Sequence, residues 1–486
     1  MTIDIGLSDI LLISPMIVMF LASLIPIFIK VMRGNVEQPA FATLVQCLGG
    51  IATAAGLLIV FSGESKLAFY QALIFDGLTM TMGFVALMAA AGACILLYEN
   101  EATKGRQFSE LMFLTMSSAN GMLFLLAAQD LLMVFIGMEM MSLSLYLMIA
   151  MSHEEKLSKE AAFKYFILGG LASAIFLYGV SFIFGSAGTT YISSIVKIAP
   201  DLIATSRIFL FGLAFVTLGF CFKVSIAPFH AWTPDVYQGA PTPLSAYMAT
   251  AVKAVSFAAL LRIIMTGELM YSENMLDILQ WMAVLTMIIG NVAAVLQDTF
   301  KRMLAYSSIA HSGYILVGII TTGISEAPVA GASAVIFYMI AYSLMTLGAF
   351  AIACIFEKNE DTQLNTEDMA GFAKKHPMLA MCLTVFLLSL AGIPPLVGFF
   401  GKFYLFAAAL GEGLIWLALW GVNNSVISVY YYLRPVVVMY MKEGTADEAP
   451  HSLIATKVLI FVVTIFVVGF GIISGPIYEM VERALL

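Results

Sequence analysis

The sequence predicts an all-α, polytopic membrane protein of about fourteen transmembrane helices, judged by the roughly 20 apolar residues that one bilayer crossing needs. Three observations carry that reading: the composition, the length of the apolar runs, and the scarcity of ionisable residues within them. Of 486 residues, 61% are hydrophobic and 11% charged, against roughly 45–50% apolar and about 25% charged in soluble domains. Mean hydropathy is +0.97. That leaves no room for a sizeable soluble domain. The net charge of −8 resides mostly in short loops. No basic stripe or Lys/Arg run is present, which argues against a nucleic-acid partner.

The runs follow in order. They are Ile10–Ile29, Ala40–Phe61, Leu73–Leu97, Leu111–Ala128, Leu131–Met151, Ala161–Gly185 and Ile208–Ala227. Then come Leu244–Met265, Ile278–Leu296, Met303–Ile320, Val329–Phe356, Met378–Leu410, Leu414–Met441 and Leu453–Ile477. Asp4 and Asp9, with no basic residue before the first run, argue for a retained helix over a cleaved signal. Helices 4 and 5 are divided tightly at Gln129-Asp130.

Loop lysines and arginines orient the chain. Loops after odd-numbered helices hold thirteen: Lys30, Arg33, Lys104, Arg106, Lys156, Lys159, Lys301, Arg302, Lys358, Lys374, Lys375, Lys442 and Lys457. The other side holds four: Lys66, Lys197, Arg207 and Arg483. The odd loops, including the polar stretch Glu357 to His376, are therefore expected in the cytoplasm and both termini outside. The five cysteines make no CxxC and read as small buried hydrophobes.

Two helices are interrupted. Helix 7 runs into Lys223-Val-Ser-Ile-Ala-Pro228-Phe-His230 and a Pro-rich stretch ending at Pro243. Helix 12 is cut at Gly392-Ile-Pro394-Pro395 and resumes to Lys402. Proline removes a backbone donor, and freed carbonyls at membrane depth need protein or water to satisfy them. Either break could be a simple packing kink, but each has a lysine beside it. The five-helix spacing of the breaks suggests two units, helices 4–8 and 9–13, a transporter design with ion sites at the breaks. The expected division is 1–108 (three N-terminal helices), 109–270 (first unit), 271–445 (second unit) and 446–486 (C-terminal helix).

The chemistry rests on ionisable groups inside apolar runs: Glu139, Lys164, Lys223, Lys253 and Lys402. An ionisable group in hydrocarbon costs about 2.5–3.5 kcal/mol even on lenient scales. A chain that repeats this cost is expected to move charge. The proton is the natural charge, because an amine taken out of water can titrate near neutral pH. One pKa unit is about 1.4 kcal/mol, and the membrane potential about 2.3 kcal/mol per charge per 100 mV, so modest modulation suffices. Glu139 has no cation on its own helix, and Lys223 at the helix 7 break is its candidate partner. Lys253 is too deep to snorkel. Lys164 lies near the start of helix 6, where snorkelling to the surface is the competing reading. His311 on helix 10 falls between the lysine-bearing halves, and His230 follows the first break; either could be only a hydrogen-bonded core residue. No histidine pair suits haem, no phosphate loop suits ATP, and no GxGxxG follows a strand. No metal or cofactor site is expected in this chain.

At this point the motifs resemble a known family. Phe222-Lys-Val-Ser-Ile-Ala-Pro-Phe-His-Ala-Trp-Thr-Pro-Asp-Val-Tyr-Gln-Gly-Ala-Pro-Thr-Pro243 is similar to the antiporter-like membrane subunits of respiratory complex I, the proton-pumping NADH:quinone oxidoreductase, and nearest their N branch. Leu304-Ala-Tyr-Ser-Ser-Ile-Ala-His-Ser-Gly-Tyr314, Gly392-Ile-Pro-Pro-Leu-Val-Gly-Phe-Phe-Gly-Lys-Phe-Tyr404 and Glu367-Asp-Met-Ala-Gly-Phe-Ala-Lys-Lys-His-Pro377 fit too. The resemblance implies two inverted, pseudo-symmetric units, Glu139 paired with Lys223, Lys253 as central relay, Lys402 guarding a second half-channel, and Lys164, His230 and His311 as accompanying positions. It implies a bacterial inner-membrane enzyme whose NADH, FMN, iron–sulfur clusters and quinone belong to partner subunits, among them neighbouring antiporter-like ones. The alternatives are a subunit of a multi-subunit cation/proton antiporter or membrane-bound hydrogenase, and a structural anchor whose charges only hold helices together. A bare sodium site would want clustered carboxylates and carbonyls, and the central carboxylate here faces four lysines.

Overall fold

The computed structural model describes residues 6–61, 63, 65–100, 107–152, 156–265, 273–325, 327–356, 364–444 and 453–486. Lys104, Arg106, Lys358, His153, His451 and the first part of the Glu357 to His376 stretch lie outside them. The described chain is an assembly of helices. Eleven are long and apolar enough to cross a membrane, or twelve with the bent pair Ile192–Thr205 and Arg207–Lys223 counted as one span. Length and composition therefore support fewer crossings than the fourteen expected: the interrupted helices yield short pieces, and the continuous helix Ile415–Met441 is too polar, with Asn423, Asn424 and Arg434 along it, to be counted.

Most expected helices stand within a few residues of their apolar runs. The tight division at Gln129-Asp130 has a physical basis. Helix Phe108–Ala127 ends, and the Asp130 carboxylate accepts from the Leu132 amide at 2.8 Å, capping helix Leu131–Ser152. Asp130 also accepts from the Thr190 hydroxyl at 2.5 Å. Helices 4 and 5 touch backbone to backbone: a Cβ on Gly121 would meet the Met141 nitrogen at 2.6 Å, and one on Gly137 the Leu125 nitrogen at 2.7 Å. Small residues let membrane helices approach this closely. The opening helices of the second expected unit repeat the device, with Gly290 against the Ala310 backbone and Gly313 against Met287.

Four features depart from the sequence reading. The third run begins as a strand, Leu73–Phe75, paired antiparallel with Lys66–Ala68. Asp76 then starts helix Gly77–Glu99 by accepting from the Thr79 amide at 2.9 Å. An amphipathic helix, Ile192–Thr205, precedes Arg207–Lys223 at a 120° bend. The eighth span is not one α-helix: Thr242–Tyr247 and Lys253–Met265 are joined by a π-helical turn, Met248–Val252. The last run divides into Ile454–Ile472 and Ser474–Leu485.

Both expected breaks are present. Arg207–Lys223 stops and the chain resumes at Trp232–Gly239, while Pro377–Ala391 stops and resumes at Val397–Gly411. Helices 8, 10 and 11 are buried on nearly every side, as helices apolar all round should be. The five cysteines are buried.

Candidate functional site: a buried line of lysines, hydroxyls and one histidine

Glu139, Ser142 and Tyr146 are spaced three and four residues apart, so they share one face of helix 5. The Lys223 ammonium donates to the Ser142 hydroxyl at 2.8 Å and reaches the Tyr146 hydroxyl at 3.5 Å. The expected Glu139–Lys223 pair is not in direct contact. Glu139 instead accepts from Ser173 on helix 6, and Ser142, one turn along, stands nearer the amine. Glu139 is half-buried, whereas Lys223 is 3% exposed.

Lys253, the first residue after the π-turn, is 1% exposed and donates to the carbonyl of Ser308 at 2.7 Å and to its hydroxyl. π-turns recur at functional positions because they re-aim a side chain. Ser312, one turn further on helix 10, donates to the carbonyls of Ser308 at 3.1 Å and Val224 at 2.6 Å. Val224 is a residue freed by the first break, so helix 10 ties the two lysine sites together.

His311 sits between two tyrosines. Its Nδ1 lies 2.5 Å from the Tyr338 hydroxyl and its Nε2 2.9 Å from the Tyr432 hydroxyl, which also bonds Ser307. Beyond it, Lys402 donates to the Leu390 carbonyl at 3.0 Å, the Ala391 carbonyl at 2.9 Å and the Ser425 hydroxyl at 2.8 Å. Its ammonium stands 5.0 Å from the centre of the Tyr314 ring, within cation–π range. Tyr314 in turn accepts from Asn291 at 3.1 Å, and Asn291 accepts from Tyr431 at 3.0 Å.

Two expected positions stand apart. Lys164 is 40% exposed and pairs with Glu160 at 2.7 Å and Asp235 at 2.9 Å, so snorkelling describes it better than burial. Asp235 also pairs with Arg302 at 3.1 Å. Burial pushes the Asp235 carboxyl up, but Lys164 and Arg302 outweigh it and hold the carboxyl below its usual range. His230 is half-buried, and its Nδ1 has no hydrogen-bond partner among the described residues.

The sequence reading missed Arg262. It is 3% exposed, grips both Asp76 oxygens at 2.7 and 2.8 Å, and donates to Thr79 and the Leu126 carbonyl. The signal was an arginine inside an apolar run. It also missed Tyr338, Tyr342 and Tyr432, since tyrosines in apolar helices read as packing. Among the described residues no cluster of three His, Cys, Asp or Glu could hold a metal.

Comparison with known proteins fixes the lineage. The family described as NADH:quinone oxidoreductase/Mrp antiporter, TM, matches residues 128–428. The chain belongs to this family. Among curated members it is 67% identical over 486 residues, 100% of both chains, to NADH-quinone oxidoreductase subunit N of Bdellovibrio bacteriovorus. It is 39% identical over 444 residues to subunit N of Trichlorobacter lovleyi, covering 90% of this chain and 89% of that one. Among solved structures it is similar to a chain of respiratory complex I from Thermus thermophilus with bound aureothin. The TM-score is 0.82 at 29% identity, over 96% of this chain and 98% of that one. A chain of the membrane-bound sulfane sulfur reductase, an archaeal respiratory membrane complex, shares the family fold with a TM-score of 0.86 at 21% identity, over 98% and 97% of the two chains. The family members are antiporter-like, multi-pass membrane subunits.

Proposed function

We infer that this chain is a proton-translocating membrane subunit of an NADH-quinone oxidoreductase, moving protons along a relay of Glu139, Lys223, Lys253, His311 and Lys402. Lys164, beside Asp235, and His230 take the outer end. NADH oxidation and quinone reduction, with flavin and iron–sulfur clusters, belong to partner subunits that include neighbouring antiporter-like chains. The observation that carries the reading is the joint burial of Lys223, Lys253, His311 and Lys402, at 3%, 1%, 1% and 5% exposure. Each is met by hydroxyl or carbonyl oxygens rather than by a counter-charge in direct contact. Hydroxyls that both donate and accept can pass a proton, whereas a structural anchor would call for fixed ion pairs. An arginine would not serve, since it stays protonated.

The division at 1–108, 109–270, 271–445 and 446–486 follows the same reading, with the two middle units pseudo-symmetric and inverted. The paired glycine contacts at the start of each unit and the matching breaks support it. The lysine and arginine distribution supports a cytoplasmic face on the odd loops, with both termini on the periplasmic side of a bacterial inner membrane.

In vesicles bearing the assembled enzyme, Lys223→Ala and Glu139→Ala should each lower NADH-driven proton uptake per electron. Unchanged proton-to-electron stoichiometry in both variants would defeat the relay.

A further inference from the structure

Helix 6 meets helix 5 through Tyr165, Gly169 and Ser173, which are spaced four residues apart and so lie above one another on one helix face. Ser173 donates to Glu139, and two turns along helix 5 Tyr146 fits against Gly169. A Cβ on Gly169 would lie 2.0 Å from the Tyr146 hydroxyl and 2.8 Å from the ring carbon that bears it. The glycines between helices 4 and 5 admit backbone, whereas this one admits the tip of a phenol. Its neighbour Gly170 has nothing within 4 Å of the same position. The Tyr146 ring stands edge-on to Tyr165, with centroids 4.7 Å apart and planes at 86°, and Tyr165 stacks on Trp232 at 4.7 Å. Aromatic rings of helix 6 and of the segment after the first break thus set the angle of this phenol.

Phenylalanine would fill this space as well as tyrosine, so packing alone does not call for the hydroxyl. Tyr146 is 5% exposed, and a hydroxyl taken out of water forfeits its bonds unless the protein returns them. The Lys223 ammonium returns one, reaching the Tyr146 oxygen at 3.5 Å as it donates to Ser142 at 2.8 Å. A lysine ammonium has three donors. With two claimed by hydroxyls of helix 5, the third N–H has one direction left. We propose that Tyr146 orients the Lys223 amine for proton exchange by fixing that direction, and that Gly169 is the positioning residue whose missing side chain lets the phenol reach the amine. Tyr146 stays a neutral phenol throughout. The proposal rests on the relay reading above.

The test uses vesicles bearing the whole enzyme and reads the initial rate of NADH-driven proton uptake, per assembled enzyme, across a pH series. Tyr146→Phe keeps the ring and should slow uptake about five-fold, the rate equivalent of one net hydrogen bond. Its pH profile should be displaced from the parent's, which a change of packing alone would not do. Gly169→Ala should reproduce both changes and Gly170→Ala neither. Adding Tyr146→Phe to Gly169→Ala should bring no further loss, because both act through one contact. Losses that multiply would mean that Gly169 serves only to pack the helices, and its assignment would fall. If Tyr146→Phe keeps the parental rate and profile while Lys223→Ala is impaired, the proposal is wrong and the relay stands. If Lys223→Ala also pumps normally, the relay fails and the proposal with it.

Discussion

The two broken helices end alike and use their lysines differently. In both, the terminal residue is left-handed: Ser225 with φ 62° and Gly392 with φ 88°. In both, the next amide reaches back five residues, from Ile226 to Cys221 at 2.9 Å and from Ile393 to Leu388 at 3.0 Å. This is the same Schellman closure. It leaves the carbonyl just before the left-handed residue to be met from outside. At the first break that carbonyl, Val224, is met by Ser312. At the second, Ala391 is met by Lys402, which meets Leu390 too. Lys223 is therefore free to face helix 5, while Lys402 closes its own break. The first lysine contacts a neighbouring helix, and the second ties together the two halves of its own.

The largest expected consequence separates the two by stability. Lys402→Met leaves two buried carbonyls without donors, at about 1–3 kcal/mol each. Lys223→Met leaves Ser142 its existing bond to the Met138 carbonyl at 2.7 Å. Thermal melts of the purified enzyme should show a clearly lower transition for Lys402→Met than for Lys223→Met. Equal transitions would erase the distinction.

A reciprocal swap comes next. A Cβ on Gly392 would lie 3.1 Å from Lys402 Cδ, at a φ that L-residues avoid. Gly392→Ser should cost about 1–2 kcal/mol from strain and displacement of the lysine. Ser225→Gly gains backbone ease and loses the 2.5 Å contact between Ser225 and Thr233, so its melt should stay near the parent's.

A smaller effect belongs to the first break alone. Trp232 donates its indole N–H to the Phe222 carbonyl at 3.0 Å. Trp232→Phe should cost about 1 kcal/mol, read as increased amide exchange near residues 222–232. Protection equal to the parent's would mean that the indole is not part of the closure.

The smallest effect depends on pH. Asp235 is held below the ordinary carboxylate range by Lys164 and Arg302 against the opposing push of burial. Its ion pairs therefore stabilise the fold at neutral pH and lose that contribution as pH falls through the lowered carboxylate value. The group is 37% exposed, so solvent screening keeps the effect small. Asp235→Asn should melt slightly below the parent at neutral pH and converge with it in acid. A gap that widens in acid would contradict the pairing.

Much of this was legible in the sequence, for identifiable reasons. Gly392-Ile-Pro-Pro and Ala227-Pro228 announced the breaks, because the residues that end helices are few. Lysine in hydrocarbon announced three of the four buried ionisable residues of the candidate site, because charge is conspicuous there. The fourth, His311, was legible through its place between the halves. Other features left no mark. The π-turn before Lys253 lies in Met248-Ala-Thr-Ala-Val252, where nothing distinguishes one helical hydrogen-bond register from another. Lys164 and Lys253 both lie in apolar runs, and only the tertiary positions of Asp235 and Ser308 separate an exposed ion pair from a buried site. The tyrosine hydroxyls around His311 were hidden by their own rings.

Glu99, at the end of helix Gly77–Glu99, accepts the backbone amides of Ala455 and Thr456 at 2.9 and 2.7 Å. A carboxylate contributed by an early helix thus seats the first turn of a late one, Ile454–Ile472. Gly77, at the opposite end of the same early helix, has room only for a hydrogen beside the Ala484 carbonyl. Both ends of one helix are thereby sealed by residues more than 350 positions further along the chain. A copy cut short before residue 454 would therefore insert with its third helix unclasped at either end.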